Sequence, residues 1–255
     1  MRRREKFIIS AILLSLGLLA VQYIALQYRF LAVFVFFAAS YLVSAWALFE
    51  DLYGVEWVTI VPFPAMYALS VSFFYFLLPD NWISRVLILV LFGVGMYALY
   101  LTCNIFSVAK ARTIQLLRAA QAIGFLFILL ISTLFANTIF SFHFPFWTNA
   151  GLLLASHLPL YLHLLWSAKI QSTIDPKLRW LVILFSLMLA EVGLIVSLFP
   201  VGIWTASLLV SSFMYVSGGI VQSSLQERLF QNTIWEYVTF GGFVMLSFLF
   251  LLEWK

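Results

Sequence analysis

Charged residues are scarce in this sequence. Only 9% of its 255 residues are Asp, Glu, Lys or Arg, 64% are hydrophobic, and the mean hydropathy is +1.07. A soluble domain contains about 25% charged residues, because most of its surface faces water. The composition therefore excludes an ordinary soluble fold and predicts a surface that faces lipid.

Cysteine and the common motifs of catalysis are also lacking. The single cysteine, Cys103, cannot form an internal disulfide. The sequence contains no G-x-x-x-x-G-K-[ST] phosphate loop, no H-E-x-x-H zinc helix, no G-x-S-x-G nucleophile elbow and no aspartate-rich repeat. It also has no basic stripe with interleaved aromatic residues, which is typical of nucleic-acid binding. We therefore predict no metal, no cofactor and no nucleic-acid partner.

Long apolar stretches dominate what is present. A membrane-spanning helix needs about 20 mostly apolar residues, and nine stretches qualify. They are Phe7–Leu26, Phe30–Phe49, Val58–Leu78, Ile83–Ile105, Ala119–Phe140, Asn149–Ser167, Trp180–Phe199, Gly202–Val221 and Ile234–Leu252. The sequence therefore predicts an all-α polytopic transmembrane bundle of about nine spans, or eight if the last stretch does not cross. The links contain at most about a dozen residues, so residues 1–255 are predicted to form a single integral membrane domain without a soluble domain.

The positive charges are unevenly distributed among the links. With a cytoplasmic N-terminus, alternating spans place eleven Lys and Arg inside and three outside, which is the bias of the positive-inside rule. The inner links supply six candidate topology anchors, which are also placed to meet lipid headgroups: Lys110, Arg112, Arg118, Lys169, Lys177 and Arg179. All nine tryptophans lie near a predicted span end, where indole rings favour the membrane interface. The predicted partner is thus the lipid bilayer.

Two ionisable residues lie near the middle of predicted spans. Glu191 is central in the seventh span and His157 in the sixth. Such groups are costly in lipid and are functional-site candidates. The two spans form a hairpin, and counting from its turn places both residues at nearly the same depth. We therefore hypothesise a His157–Glu191 hydrogen bond or ion pair; the alternative is that each residue bonds separately to other helices.

The third span begins with an acidic segment and contains two prolines. Glu50, Asp51 and Glu56 precede Pro62 and Pro64. Because proline removes a backbone donor, the helix proper is expected to start near Pro62. The three acids form a candidate cytoplasmic-face cluster that could bind a cation, but a solvated turn is the favoured interpretation.

Small residues in the seventh span repeat at intervals of four, three and four. Ser186, Ala190, Gly193 and Ser197 therefore form one stripe along the helix. Such stripes let membrane helices approach closely. Helix packing is the favoured interpretation, and a substrate path is the alternative.

Three stretches carry a resemblance to known sequences. The stretches EDLYGVEWVTIVPFPAMY, FYFLLP and IFSVAKARTIQLLRAAQAIGFL resemble uncharacterised multi-spanning inner-membrane proteins of candidate-phyla bacteria. The resemblance covers the first half to two thirds of the chain. It implies a bacterial inner-membrane location and brings no activity or functional residues.

Three functions are compatible with these features. The favoured one is a structural or assembly component of the membrane, forming a homo-oligomer or binding other membrane proteins. The second is a small transporter or channel with Glu191 and His157 as its polar centre. The third is a lipid-modifying enzyme that uses Glu50, Asp51 and Glu56 at the inner face. It ranks last because no spacing there matches a known mechanism.

Overall fold

The computed structural model describes residues 3–79, 81–108 and 114–252. This part of the chain is helical, so the prediction of an all-α bundle is confirmed. The helices are α1 (Arg3–Gln22), α2 (Arg29–Leu48), α3 (Glu56–Thr59), α4 (Pro62–Tyr75), α5 (Trp82–Ser107), α6 (Ile114–Ser141), α7 (Phe146–Lys169), α8 (Pro176–Val196), α9 (Ile203–Leu225) and α10 (Gln231–Leu251).

Nine helical segments of the described chain are long and apolar enough to cross a membrane, with α3 and α4 counted as one. The break between α3 and α4 lies where the sequence predicted it, because Pro62 occupies the first turn of α4. A proline is tolerated there since the first-turn amides have no intrahelical acceptor. The acidic residues therefore precede the helix proper.

The helices divide into two compact units, Met1–Phe127 and Ile128–Lys255. In the first unit an aromatic cluster fills the core. The Tyr67 ring stacks on Phe92 at 5.5 Å between centroids and meets Phe127 edge-on. Tyr100 lies against Phe7, and its hydroxyl is 3.1 Å from Ser44 Oγ. These contacts join α1, α2, α4 and α5 with the first part of α6.

In the second unit α7 and α8 form an antiparallel hairpin. Asn149 Nδ2 donates to Ser197 Oγ at 3.1 Å, and Gly193 lies directly against Leu153. Further along, Tyr161 meets Phe185 with 6.2 Å between ring centroids. Each four-residue step along α7 therefore matches a four-residue step back along α8, which fixes the register of the two helices.

The last helix contributes least to the core of this unit. Only 6% of the most apolar stretch of α10 is buried, against 67% for Glu56–Tyr75. α10 packs on α9, where Tyr215 contacts Tyr237 and Phe240. Most of its large apolar side chains therefore face outward.

Candidate functional site

His157 lies in the core of the second unit with 0% exposure. Its Nδ1 is 2.9 Å from the carbonyl oxygen of Leu153 and 3.0 Å from Ser156 Oγ. Because a carbonyl oxygen can only accept, Nδ1 carries the proton and donates to it. Nε2 then accepts from the hydroxyl of Ser132, 2.8 Å away on α6. Both ring nitrogens are thus satisfied within the unit.

Glu191 lies on the opposite side of α8 from the hairpin interface, and its side chain is exposed. The hairpin register places His157 at the level of Leu189, which is fully buried. Glu191 is two positions after Leu189, which is about 3 Å along the axis but about 200° around the helix. The predicted common depth is therefore present.

The structure does not bring His157 and Glu191 together. The partners of the histidine are Ser132, Ser156 and Leu153, and no residue of the described chain hydrogen-bonds or ion-pairs with the Glu191 carboxylate. The hypothesis of a direct pair is wrong, because α8 turns its other face toward α7. The alternative of separate partners holds for His157.

Two further polar contacts of this unit join different helices. Tyr161 Oη is 2.6 Å from Ser217 Oγ, and Thr133 Oγ1 donates to Ser211 Oγ at 2.8 Å. Hydroxyls commonly connect membrane helices in this way. Sequence reasoning missed these contacts, and the available signal was the four-residue spacing of His157 and Tyr161 on one face of α7.

The small-residue stripe of α8 packs against α7. Ser186, Ala190 and Gly193 are buried, and a Cβ built on Gly193 would overlap the Leu153 side chain. Ser197 ends the stripe with its hydrogen bond to Asn149. The prediction of helix packing is therefore confirmed, since three stripe residues are buried and both Gly193 and Ser197 contact side chains of α7.

The two acids before α4 whose side chains the structure describes have different partners. Glu50 contacts Lys6 Nζ through one carboxylate oxygen and Arg3 Nε at 3.5 Å through the other. Glu56 is buried, and its Oε2 accepts from the backbone N–H of Tyr53 at 3.0 Å. The side chain of Asp51 lies outside what the structure describes. The favoured solvated turn thus applies to Glu50 but is wrong for Glu56, which closes its own turn.

The Glu50 contacts predict a pH-dependent contribution to stability. The Lys6 hydrogen bond and charge, helped by Arg3, lower the pKa of Glu50 below its ordinary 4.5. A lowered pKa means that the ionised form stabilises the fold above the unfolded-state pKa, and that this contribution is lost as the pH falls through the folded-state pKa. Glu50→Gln should therefore lower the melting temperature slightly at pH 7, and the difference should vanish in acid.

A Lys6→Gln background provides the control for Glu50. The difference in melting temperature at pH 7 should be smaller there, because the main partner of the carboxylate has been removed. A difference that persists unchanged at low pH would contradict the assignment. Thermal unfolding in detergent across a pH series measures both.

Basic residues of the links that are predicted to be cytoplasmic lie at helix ends where the structure describes them. Lys169 ends α7, Lys177 and Arg179 lie in the first turn of α8, and Arg118 is exposed in the second turn of α6. Lys110 and Arg112 lie outside the described residues. These positions are compatible with anchoring, and contact with lipid headgroups stays a prediction.

Described residues of each unit line an apolar cavity. One of about 460 Å³ lies between α8, α9 and α10 and includes Val192, Phe213 and Met245 in its lining. The other, of about 320 Å³, lies between α1 and α5. Neither is lined by His157 or Glu191. Their linings suit acyl chains better than ions or water.

The helices and their exposed apolar surface together define a multi-pass helical membrane protein. Comparison of the chain with protein-family models, with curated proteins and with solved structures found no match.

Proposed function

We propose that this protein is a structural or assembly component of the bacterial inner membrane, which acts by stable association with another membrane protein inside the bilayer. The inner-membrane location rests on the resemblance of the first half to two thirds of the chain and on the eleven-to-three distribution of basic residues. Association within the bilayer rests on the position of Glu191.

The Glu191 carboxyl carries this proposal. It stands near the middle of α8 on the exposed face, beside large apolar side chains such as Leu187 and Met188. A charged side chain at the centre of a lone helix in lipid costs about 2.5–3.5 kcal/mol on insertion scales. A second protein that covers this face and hydrogen-bonds the carboxyl would remove much of that cost.

The two alternative functions find less support. A transporter built on His157 and Glu191 needs the two groups to share a water-filled path, but His157 is enclosed by Ser132 and its own helix. A lipid-modifying enzyme needs free acids at the inner face, but Glu50 is paired with Lys6 and Arg3, and Glu56 is buried and accepts from the Tyr53 backbone. Of the three hypotheses, assembly therefore agrees best with the polar residues.

Native mass spectrometry of the protein extracted with its lipids tests the proposal. We expect a complex of fixed stoichiometry, heavier than the 29.2 kDa chain. A monomer at every protein-to-lipid ratio would contradict assembly. A proton flux in proteoliposomes that Glu191→Gln abolishes without changing the mass would favour the transporter instead.

A further inference from the structure

One face of α8 carries a heptad pattern that no described helix covers. Its core positions follow steps of four, three, four and three residues: Trp180, Leu184, Leu187, Glu191 and Leu194, here called the α8 seam. The first four are exposed and Leu194 is half-buried. Alternating steps of three and four keep side chains on one stripe, which is the geometry by which two helices interdigitate.

The seam faces away from the interior of its own unit. The buried side of α8, which includes Val182, Ser186 and Gly193, meets α7. Since that side is occupied, the seam is the face left for a partner. A single polar residue among apolar core positions is the feature that sets register and partner number in paired helices, and Glu191 holds that place here.

A second copy of this chain supplies the matching group. Copies inserted in the same direction are related by an axis along the membrane normal, and a twofold axis sets parallel α8 helices against each other with equal residues opposed. Lys and Arg of the described helices lie only near helix ends, so these helices offer no Lys or Arg at the depth of Glu191. Its own counterpart does fit, because a protonated carboxyl both donates and accepts.

We propose that the α8 seam binds the α8 seam of a second copy, with the two Glu191 carboxyls hydrogen-bonded to each other across the twofold axis. A hydrogen bond between two carboxyl groups needs one to donate and the other to accept. This inference rests on the proposed assembly function and names its partner. Leucine packing above and below the carboxyl pair excludes lipid from it.

Disulfide cross-linking in native membranes tests the placement. Cys103, the only cysteine, is replaced by Ala, and Leu187→Cys is introduced in the seam. Val94→Cys, exposed near the middle of α5, is the matched control. Oxidation should convert most of the Leu187→Cys protein to a dimer and little of the Val94→Cys protein. Equal cross-linking of both variants, or none at Leu187→Cys, would overturn the seam.

The carboxyl pair has its own test in liposomes, by energy transfer between labelled copies. Glu191→Gln keeps a donor and an acceptor and should dimerise within about threefold of the native affinity, whereas Glu191→Leu should weaken dimerisation by about three- to twentyfold. Unchanged affinity of Glu191→Leu would overturn the carboxyl pair. A stable complex without the Leu187→Cys cross-link would disprove the α8 seam as the interface but leave the proposed assembly function intact. A strict monomer would disprove both.

Discussion

Gly193→Ala should destabilise the second unit by about 1–3 kcal/mol, the usual cost of overfilling a packed core. The added methyl group would overlap the side chain of Leu153, which is itself fully buried. Alanine is a better helix former than glycine by about 1 kcal/mol, so this gain only partly offsets the clash. Equilibrium unfolding in mixed micelles measures the difference.

Gly151→Ala is the matched control, because it lies in the same hairpin and nothing approaches its Cβ within 4 Å. It should leave stability within about 1 kcal/mol of the native value. Leu153→Ala should cost about 2–5 kcal/mol by leaving a cavity. The double variant Gly193→Ala, Leu153→Ala should cost less than the sum of its parts, since the new methyl fills part of that cavity. Strict additivity would show that the two residues do not touch.

The helices could be predicted from the sequence because the thickness of the bilayer sets the length of each apolar run. Their ends could not be placed as well. The apolar run of α6 begins at Ala119, yet the helix begins at Ile114. The residues before the apolar run all favour helix: Gln115, Leu116, Leu117 and Arg118. Hydropathy indicates where the lipid begins, not where the first hydrogen-bonded turn of the helix begins. The α3–α4 break was predictable since Pro62 acts through local backbone chemistry.

The His157–Glu191 hypothesis failed because it considered only depth along the helix and not the direction of each side chain around it. Counting residues from the hairpin turn gives depth, and the depth of Glu191 relative to His157 was right. The direction of a side chain depends on which face of α8 meets α7. The small-residue stripe already marked that face, and Glu191 lies about 130° around the helix from it. Reading both features together would have predicted an outward carboxyl.

The partner of His157 could not be predicted in the same way. Ser132 lies on α6, the helix before α7, and α6, α8 and α9 all contain serines. Nothing local distinguishes this hydroxyl from Ser186 or Ser211. Only the packed arrangement of α6 against α7 selects it, so the sequence alone does not predict which serine bonds to His157.

Double-mutant cycles should show that His157 is coupled to Ser132, its hydrogen-bond partner, and not to Glu191, its hypothesised partner. His157→Ala should cost about 3 kcal/mol, because it empties a fully buried site and breaks two hydrogen bonds. Ser132→Ala removes only one of those bonds. The coupling energy of the two should be about 0.6 kcal/mol and at most about 1.7, the range found for hydrogen bonds between membrane helices.

A second double-mutant cycle combines Glu191→Gln with His157→Ala and tests the hypothesised pair. The coupling energy of the two should be below about 0.5 kcal/mol, as for residues without a shared contact, although both lie at one depth of the same hairpin. Coupling above about 1 kcal/mol would mean that the carboxyl reaches the ring after all. It would also take the group away from the α8 seam, because one side chain cannot bond inward to His157 and outward to a second copy at once.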